Sequence, residues 1–345
     1  MSVYHTAFFA FSCIVLFLYG LKGFSKEVEE TGGDRLKYWL TRITNNRFKA
    51  LALGAVFTAV IQSSSAVSSM TVALVDAGAF SFANSLAVLL GAGIGTTSTA
   101  WLVSLNFTAA GVYFIVFGTL IGALPFKISL VGKSLFYFGF ILFTLELLSM
   151  ALAPVRESPL LVEYLSGGDS LILALLAGIV ITAVVQSSSV VSGLVVVLAQ
   201  AALIELPEAI AIIIGAKAGS TSTALIASMK MKTAARLSAL SNFIFNLTGG
   251  LIFIALIGPL AGLVSSWTSD PGFQVAYAHI IFSTSIAIMF LPFLKPFARF
   301  MERWMPVAEV GSSGGSVRGE GAGAGFPFSG KKTAARCFVR TCSWR

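Results

Sequence analysis

The sequence predicts an all-α polytopic membrane protein, built from two inverted repeats that contain re-entrant helical hairpins and broken helices. Three observations lead to this prediction. The chain of 345 residues is 56% hydrophobic and only 11% charged, whereas soluble domains carry about 25% charged residues. Several apolar runs reach the roughly 20 residues that a helix needs to cross a bilayer. Two polar motifs also recur inside apolar segments at one constant spacing.

The apolar segments fall into two length classes. Six are long enough to cross as single helices: residues 4–24, 82–103, 108–126, 134–153, 238–262 and 275–296. The second of these is interrupted by "GAGIGTTSTA", which predicts a broken helix. Stretches 50–76 and 171–200 are each split by QSSS, and the resulting arms of about a dozen residues span only about 18 Å as helix. Such short arms predict re-entrant hairpins that enter and leave on one side.

Both polar motifs are duplicated in one register. QSSS at 62–65 recurs at 186–189, and "GAGIGTTSTA" at 91–100 returns as "GAKAGSTSTA" at 215–224, each with an offset of 124 residues. Small residues are common at membrane helix interfaces, but that does not explain a shared register. The predicted transmembrane domain, 1–306, therefore contains repeat one at about 14–106, repeat two at about 138–230, and closing helices at 238–262 and 275–296.

The distribution of Lys and Arg predicts the orientation. Basic residues are dense between 22 and 49, whereas 104–107 and 263–274 contain none. If the QSSS stretches are hairpins, every basic cluster falls on one face, as the positive-inside rule requires. Three crossings then separate the two motifs, and an odd number inverts the second repeat. The basic, Gly/Ser-rich segment 307–345 is predicted to be disordered and cytoplasmic.

Inverted repeats with broken helices at corresponding positions are typical of secondary transporters. A broken helix presents backbone N–H groups at one end, where anions bind, and carbonyl groups at the other. Ser and Gln side chains add uncharged donors and oxygens, which suit an anion together with a cation such as sodium. Two such breaks meeting near the bilayer midplane would form one site that opens alternately to each face.

The duplicated QSSS and Gly–Thr motifs, with "LELLSMALAPVRESPLL", resemble the type II sodium-dependent phosphate cotransporters in their bacterial form, from about residue 10 to 306. The resemblance implies sodium-coupled symport of inorganic phosphate in the cytoplasmic membrane, with sodium as co-substrate and no other metal or cofactor. It also implies a substrate site in both motifs. The predicted residues are Gln62, Ser63, Ser64, Ser65, Gln186, Ser187, Ser188 and Ser189, with Thr96, Thr97, Ser98, Thr221 and Ser222 as further oxygen donors.

Two positions depart from the family pattern GANIGTT, because Gly93 and Lys217 stand where the family usually has Asn. An ammonium inside a membrane is costly and usually functional. Lys217 is expected either to act where a sodium ion or an Asn would act, paired with phosphate, Asp76 or Glu205, or to extend into a watery cavity without a special role. Asp76 is expected to be either a cation ligand or a hairpin end that faces water.

Other function classes stay open at this point. A transporter of another small anion, or one without sodium coupling, fits the same motifs. An intramembrane enzyme would need a nucleophile beside a base, but His5 and His279 are expected at span ends, away from the serines. A scaffold gives no reason for duplicated polar motifs. The net charge of +8 does not indicate nucleic acid, because the basic residues flank apolar spans.

Overall fold

Long apolar runs fold as helices here because a helix satisfies its own backbone hydrogen bonds where no water can do so. The computed structural model describes residues 3–42, 46–105, 107–125, 129–156 and 170–305, and all regular elements in those ranges are helices. The predicted disordered segment 307–345 lies outside the described residues, as does Lys127.

Fourteen α-helices follow one another through the described ranges. In repeat one and the segment after it they are α1 (Val3–Arg42), α2 (Arg47–Ile61), α3 (Ser64–Asp76), α4 (Phe82–Gly95), α5 (Thr97–Ser104), α6 (Gly111–Gly122) and α7 (Ser129–Arg156). The second set is α8 (Leu171–Val185), α9 (Ser188–Gln200), α10 (Leu206–Ser228), α11 (Thr233–Ile254), α12 (Ile257–Trp267), α13 (Pro271–Phe290) and α14 (Leu294–Trp304). Short 3₁₀ turns at Phe107–Ala110 and Leu291–Phe293 precede α6 and α14.

The predicted breaks at both QSSS motifs are present. The first motif separates the 15-residue α2 from the 13-residue α3, and the second separates the 15-residue α8 from the 13-residue α9. The predicted interruption of 82–103 is only slight: α4 ends at Gly95 and α5 begins at Thr97, but Thr96 between them has the helical angles φ −60° and ψ −26°, and Phe82–Ser104 forms one span. The corresponding motif of repeat two does not break, and α10 runs without interruption through residues 215–224.

Glycines allow matching helix pairs to pack closely in both repeats. A Cβ on Gly54 would lie 2.2 Å from the Val88 carbonyl oxygen, and one on Gly178 would lie 2.2 Å from that of Ile212. Each of these residues has its counterpart 124 positions away, so α2 packs on α4 as α8 packs on α10. Small residues at such crossings let helix backbones approach in membranes. The duplication is therefore present in the packing as well as in the sequence.

Several predicted segments differ from the helices observed. Leu206–Ser228 is one of six described helices long and apolar enough to span a membrane, although it was not among the predicted crossings. The polar stretch "GAKAGSTSTA" lies inside this helix, and for that reason the sequence pattern did not indicate a continuous span. The predicted span 238–262 ends earlier, since α11 stops at Ile254 and a separate α12 follows. The helix within 108–126 has only 12 residues, although with its 3₁₀ turn it reaches about 26 Å.

His279 contradicts the expected interfacial placement. It is 1% exposed within α13, and neither ring nitrogen has a hydrogen-bond partner in the described part of the chain. The predicted span begins at residue 275, whereas α13 begins at Pro271 and ends at Phe290, so His279 lies in the middle of the helix. The inversion of the two repeats relative to a bilayer stays a prediction.

Candidate substrate site at two broken helices

Both helix breaks are made by a glutamine in the left-handed conformation. Gln62 has φ 57° and ψ 26°, and Gln186 has φ 59° and ψ 25°. Their backbone N–H groups donate to the Thr58 and Thr182 carbonyl oxygens at 2.8 and 2.7 Å, which closes α2 and α8 in the same way. Gly or Asn usually occupies such a position, because a longer side chain there costs about 1 kcal/mol. Both repeats keep a glutamine in this unfavourable left-handed conformation, which indicates that the glutamine side chains are needed there.

A serine restarts each helix directly after the break. Ser63 and Ser187 have extended backbones and form the N-caps of α3 and α9. The Ser63 hydroxyl accepts a hydrogen bond from the Ala66 N–H at 3.2 Å, whereas the Ser187 hydroxyl makes no capping bond. Two helix N-termini thus begin next to the two glutamines. Each N-terminus carries unpaired N–H groups and roughly half a positive charge, which favours anions.

The two breaks bond to each other reciprocally. The Ser65 hydroxyl donates to the Gln186 carbonyl oxygen at 3.4 Å, and the Ser189 hydroxyl donates to the Gln62 carbonyl oxygen at 3.2 Å. Ser65 and Ser189 are counterparts at the 124-residue offset, as are the two glutamines. Such an exchange of equivalent contacts is the local signature of two-fold symmetry. The structure therefore brings the two motifs together at one place.

A cavity of about 260 Å³ lies where the breaks meet. Its lining comes from both repeats and from α1: Leu21, Lys22, Ser25, Lys26, Glu29, Gln62, Ser63, Val185, Gln186, Ser187 and Val190. Liquid water occupies about 30 Å³ per molecule, so a small hydrated anion fits. Two lysines and one glutamate add charge to an otherwise neutral polar wall, and the lysine side chains favour an anionic occupant.

The two glutamine side chains are held differently. Gln62 Nε2 donates to the Ser98 hydroxyl at 2.8 Å, and Gln62 Oε1 accepts from the Thr99 hydroxyl at 2.7 Å. The counterpart of Thr99 in repeat two is Thr223, whose buried hydroxyl has no partner among the described residues. Gln186 is thus not clamped by α10 as Gln62 is clamped by α5.

The other predicted site residues fall into two groups. Thr96, Thr97, Thr221 and Ser222 donate their hydroxyls to carbonyl oxygens one turn earlier in the chain. Such bonds satisfy a buried hydroxyl within its own helix, and none of these four lines the large cavity among the described residues. Ser64 and Ser65 line a smaller cavity beside Lys217, and the Ser188 hydroxyl is buried without a described partner.

Lys217 is buried, with 4% of its surface exposed, and its ammonium donates to the Gly93 carbonyl oxygen. Neither expected carboxylate partner contacts it within the described part of the chain. Asp76 accepts a hydrogen bond from the Lys232 N–H at 2.6 Å, and Glu205 forms a capping box with Glu208 at the start of α10. The pairing with Asp76 or Glu205 is therefore wrong, because both carboxylates are engaged at helix ends.

Sequence reasoning missed the contribution of α1. Lys22, Ser25, Lys26 and Glu29 line the cavity, whereas the sequence alone uses Lys22 and Lys26 only as a signal of orientation. One usable signal was present, since Ser25 lies in the repeat register opposite Ser149. Nothing in the local sequence indicates that this turn of α1 faces the two breaks, because that placement depends on packing between distant helices.

Comparison with known proteins identifies the family and several relatives of this chain. A family model described as "Na+/Pi-cotransporter" matches residues 16–150 and 164–258. The chain is 28% identical over 300 residues to "Uncharacterized protein YqeW" of Bacillus subtilis, covering 85% of this chain and 96% of that protein. No solved structure matches it significantly.

A second relative is longer than this chain. "Putative inorganic phosphate export protein YjbB" of Escherichia coli K12 is 27% identical over 292 residues, and the alignment covers 84% of this chain but 54% of the relative. This chain therefore spans about half the length of that relative. The family match covers more than half of the chain, and this polytopic membrane protein belongs to the Na+/Pi-cotransporter family.

Proposed function

We propose that this protein carries inorganic phosphate across the cell membrane, coupled to sodium, with the substrates bound in the cavity between the two glutamine breaks. The observation that carries the proposal is the meeting of Gln62, Gln186 and their N-cap serines around one cavity. The relatives support the substrate class, because the family is described as Na+/Pi-cotransporter and one relative carries phosphate export in its name.

Phosphate binding follows from the donors available. The N-termini of α3 and α9 offer backbone N–H groups, and Ser63 and Ser187 add hydroxyls that can donate to phosphate oxygens. Lys22 and Lys26 on α1 supply positive charge at the edge of the cavity, where both side chains are exposed. Because these lysines are exposed and not buried, they attract the anion without holding it permanently. A transporter needs such a releasable site.

Sodium binding follows from oxygens that carry no formal charge. The helix ends at Gln62 and Gln186 present carbonyl oxygens, and the serine hydroxyls and amide oxygens lie close by. Carbonyl groups at broken helices are typical cation ligands in secondary transporters. Glu29 adds one negative charge to the cavity lining. A sodium ion bound beside phosphate would reduce the charge that crosses the low-dielectric interior.

The positive-inside rule assigns the part of α1 that lines the cavity to the cytoplasmic side, because α1 is rich in basic residues after Leu21. Alternating access would then require the two repeats to rock about their reciprocal serine contacts. Symmetric exchange of conformation between inverted repeats produces the second, outward-facing state.

Radiolabelled phosphate uptake into proteoliposomes tests the proposal. We expect uptake driven by an inward sodium gradient, little uptake when choline replaces sodium, and at least tenfold loss in Gln186→Ala. Gln274→Ala is the matched control, since that glutamine bonds to the Thr268 carbonyl oxygen outside the cavity. Absence of phosphate movement in the native protein would refute the substrate assignment. Uptake that is equal in sodium and choline would refute the coupling alone.

A further inference from the structure

Lys217 places a basic group in the interior of a membrane helix, away from the large cavity. It lies in the middle of α10, is 4% exposed, and donates to the carbonyl oxygen of Gly93. Gly93 is the counterpart of Lys217 at the 124-residue offset. The ammonium of the second repeat therefore occupies the space beside the matching position of the first repeat, which has no side chain.

The surroundings of this ammonium are rich in oxygen and carry no formal negative charge. Two cavities, of about 20 and 10 Å³, flank Lys217. Their polar lining consists of Ser64, Ser65, Ser68, Ser220, Asn242, Asn246 and Ser283. No Asp or Glu lines either cavity in the described ranges, and no described ion pair includes Lys217.

The ammonium donates to one carbonyl oxygen, and the hydroxyl and amide groups that line the two flanking cavities are of the kinds that bind hard cations. An isolated buried ammonium would be very costly without such oxygens. The space is too small for phosphate, because a cavity of about 20 Å³ holds about one water molecule. Lys217 therefore occupies a small polar chamber that is separate from the proposed phosphate site.

This chamber and the large cavity share one turn of α3. Ser63 lines the large cavity, while Ser64 and Ser65 line the chamber. A positive charge in the chamber therefore acts on the same helix N-terminus that faces the proposed phosphate. Asn242 and Asn246 of α11 close the chamber from the other side, and Asn246 is held by the Asn242 carbonyl oxygen at 2.8 Å.

We propose that the Lys217 ammonium is a tethered cation, which permanently fills an alkali-cation position behind the first helix break. This proposal rests on the proposed function and refines it, because a site filled by the protein itself needs no sodium. The native chain would then require one sodium ion fewer for each phosphate than a chain in which this position is vacant. Its sodium dependence would be correspondingly shallower.

Shortening Lys217 should convert the tethered site into a free one. A Cβ added at Gly93 meets only Lys217 Nζ, at 3.7 Å, so removing the lysine chain leaves room for a free cation. Lys217→Ala opens the site, whereas Lys217→Met fills the same volume without charge. Lys295→Ala, at an exposed position of α14, controls for the general loss of a positive charge.

Thermal unfolding in detergent tests cation binding without reference to transport. When sodium or ammonium replaces choline, we expect the Tm of Lys217→Ala to rise by about 3 °C or more beyond the rise seen for the native chain. The native chain, Lys217→Met and Lys295→Ala keep the sodium site proposed in the large cavity but gain none beside residue 217, so their Tm shifts between the same salts should agree within about 1 °C. Equal shifts in Lys217→Ala and Lys217→Met would overturn the proposal. If Lys217→Ala is not recovered folded, Lys217→Asn makes the same comparison.

Phosphate uptake gives the second readout. The Hill coefficient for sodium should increase by about one in Lys217→Ala relative to the native chain, while Lys217→Met should lose at least tenfold of the flux at every sodium concentration. An unchanged sodium dependence in folded Lys217→Ala would overturn the tethered cation and leave phosphate transport intact. Failure of the native chain to move phosphate would refute the proposed function, and the unfolding experiment would still decide the role of Lys217.

Discussion

The two repeats pack their helices in the same way but differ in several polar side chains. Gly91 and Gly215 meet the matching carbonyl oxygens of Leu51 and Leu175, and both glutamines adopt the same left-handed conformation. Backbone geometry is thus duplicated closely. This similarity follows from close packing, because a helix crossing built on glycine tolerates no added side chain.

The differences between the repeats lie in the polar groups. In repeat one, α5 clamps Gln62 through the Thr99 hydroxyl, whereas in repeat two the matching Thr223 hydroxyl has no partner among the described residues and does not clamp Gln186. Repeat one has Gly93 where repeat two has Lys217. The comparison teaches that a duplicated scaffold can hold matching residues unequally, because Gln62 is bonded to Ser98 and Thr99, whereas Thr223 makes no matching bond to Gln186.

The largest expected effect tests the close helix packing that both repeats share. Gly91→Ala and Gly215→Ala should both abolish folded protein, because the added Cβ would lie 1.9 Å from the Leu51 oxygen and 2.0 Å from the Leu175 oxygen. Overpacking of this severity costs about 3 kcal/mol or more. Fluorescence-detected size-exclusion chromatography measures the folded yield.

Gly258→Ala and Gly262→Ala serve as controls for that measurement, since a Cβ at either position meets nothing within 4 Å. Both should give native yields. Tolerance of alanine in one repeat but not in the other would show that the two helix crossings are not equivalent.

The next largest effect tests whether Gln62 and Gln186 contribute unequally to stability. Gln62→Ala should destabilise the ligand-free protein by about 1–3 kcal/mol, because it leaves the Thr99 hydroxyl without its acceptor. Gln186→Ala should change stability by no more than about 0.5 kcal/mol. Both replacements put Ala into the same left-handed conformation, so the strain of that conformation does not contribute to the difference in stability between the two variants. The measurement is thermal unfolding in detergent without phosphate, and equal losses would contradict the asymmetry.

The smallest effect probes the contacts that join the repeats. Ser65→Ala and Ser189→Ala each remove one hydroxyl bond to a glutamine carbonyl oxygen, at 3.4 and 3.2 Å. Interhelical hydrogen bonds in membrane proteins average about 0.6 kcal/mol, so we expect similar small losses on thermal unfolding. Ser266→Ala, which removes an exposed bond within α12, should be neutral. A large loss of stability from only one of the two serine replacements would contradict the two-fold relation between the repeats.

Much of the fold followed from local sequence. The all-helical membrane class follows from composition, and the breaks at 62–63 and 186–187 follow from polar blocks that leave only short helical arms on either side. The repeat register is a property of the sequence and reappears in the glycine contacts. The Gly–Thr motif was less informative, because Thr96 keeps a helical conformation within the span Phe82–Ser104 and α10 runs straight through the matching motif.

The sequence by itself determined the class of protein, the duplication and the residues that break the helices, because each depends on apolar length and local polarity. Only the tertiary structure decided which groups meet. It brought Lys22 of α1 to the breaks, paired each serine with the opposite glutamine, and set Lys217 against Gly93. These contacts join residues more than a hundred positions apart or on separate helices, and they arise from how glycine-lined helices pack against one another.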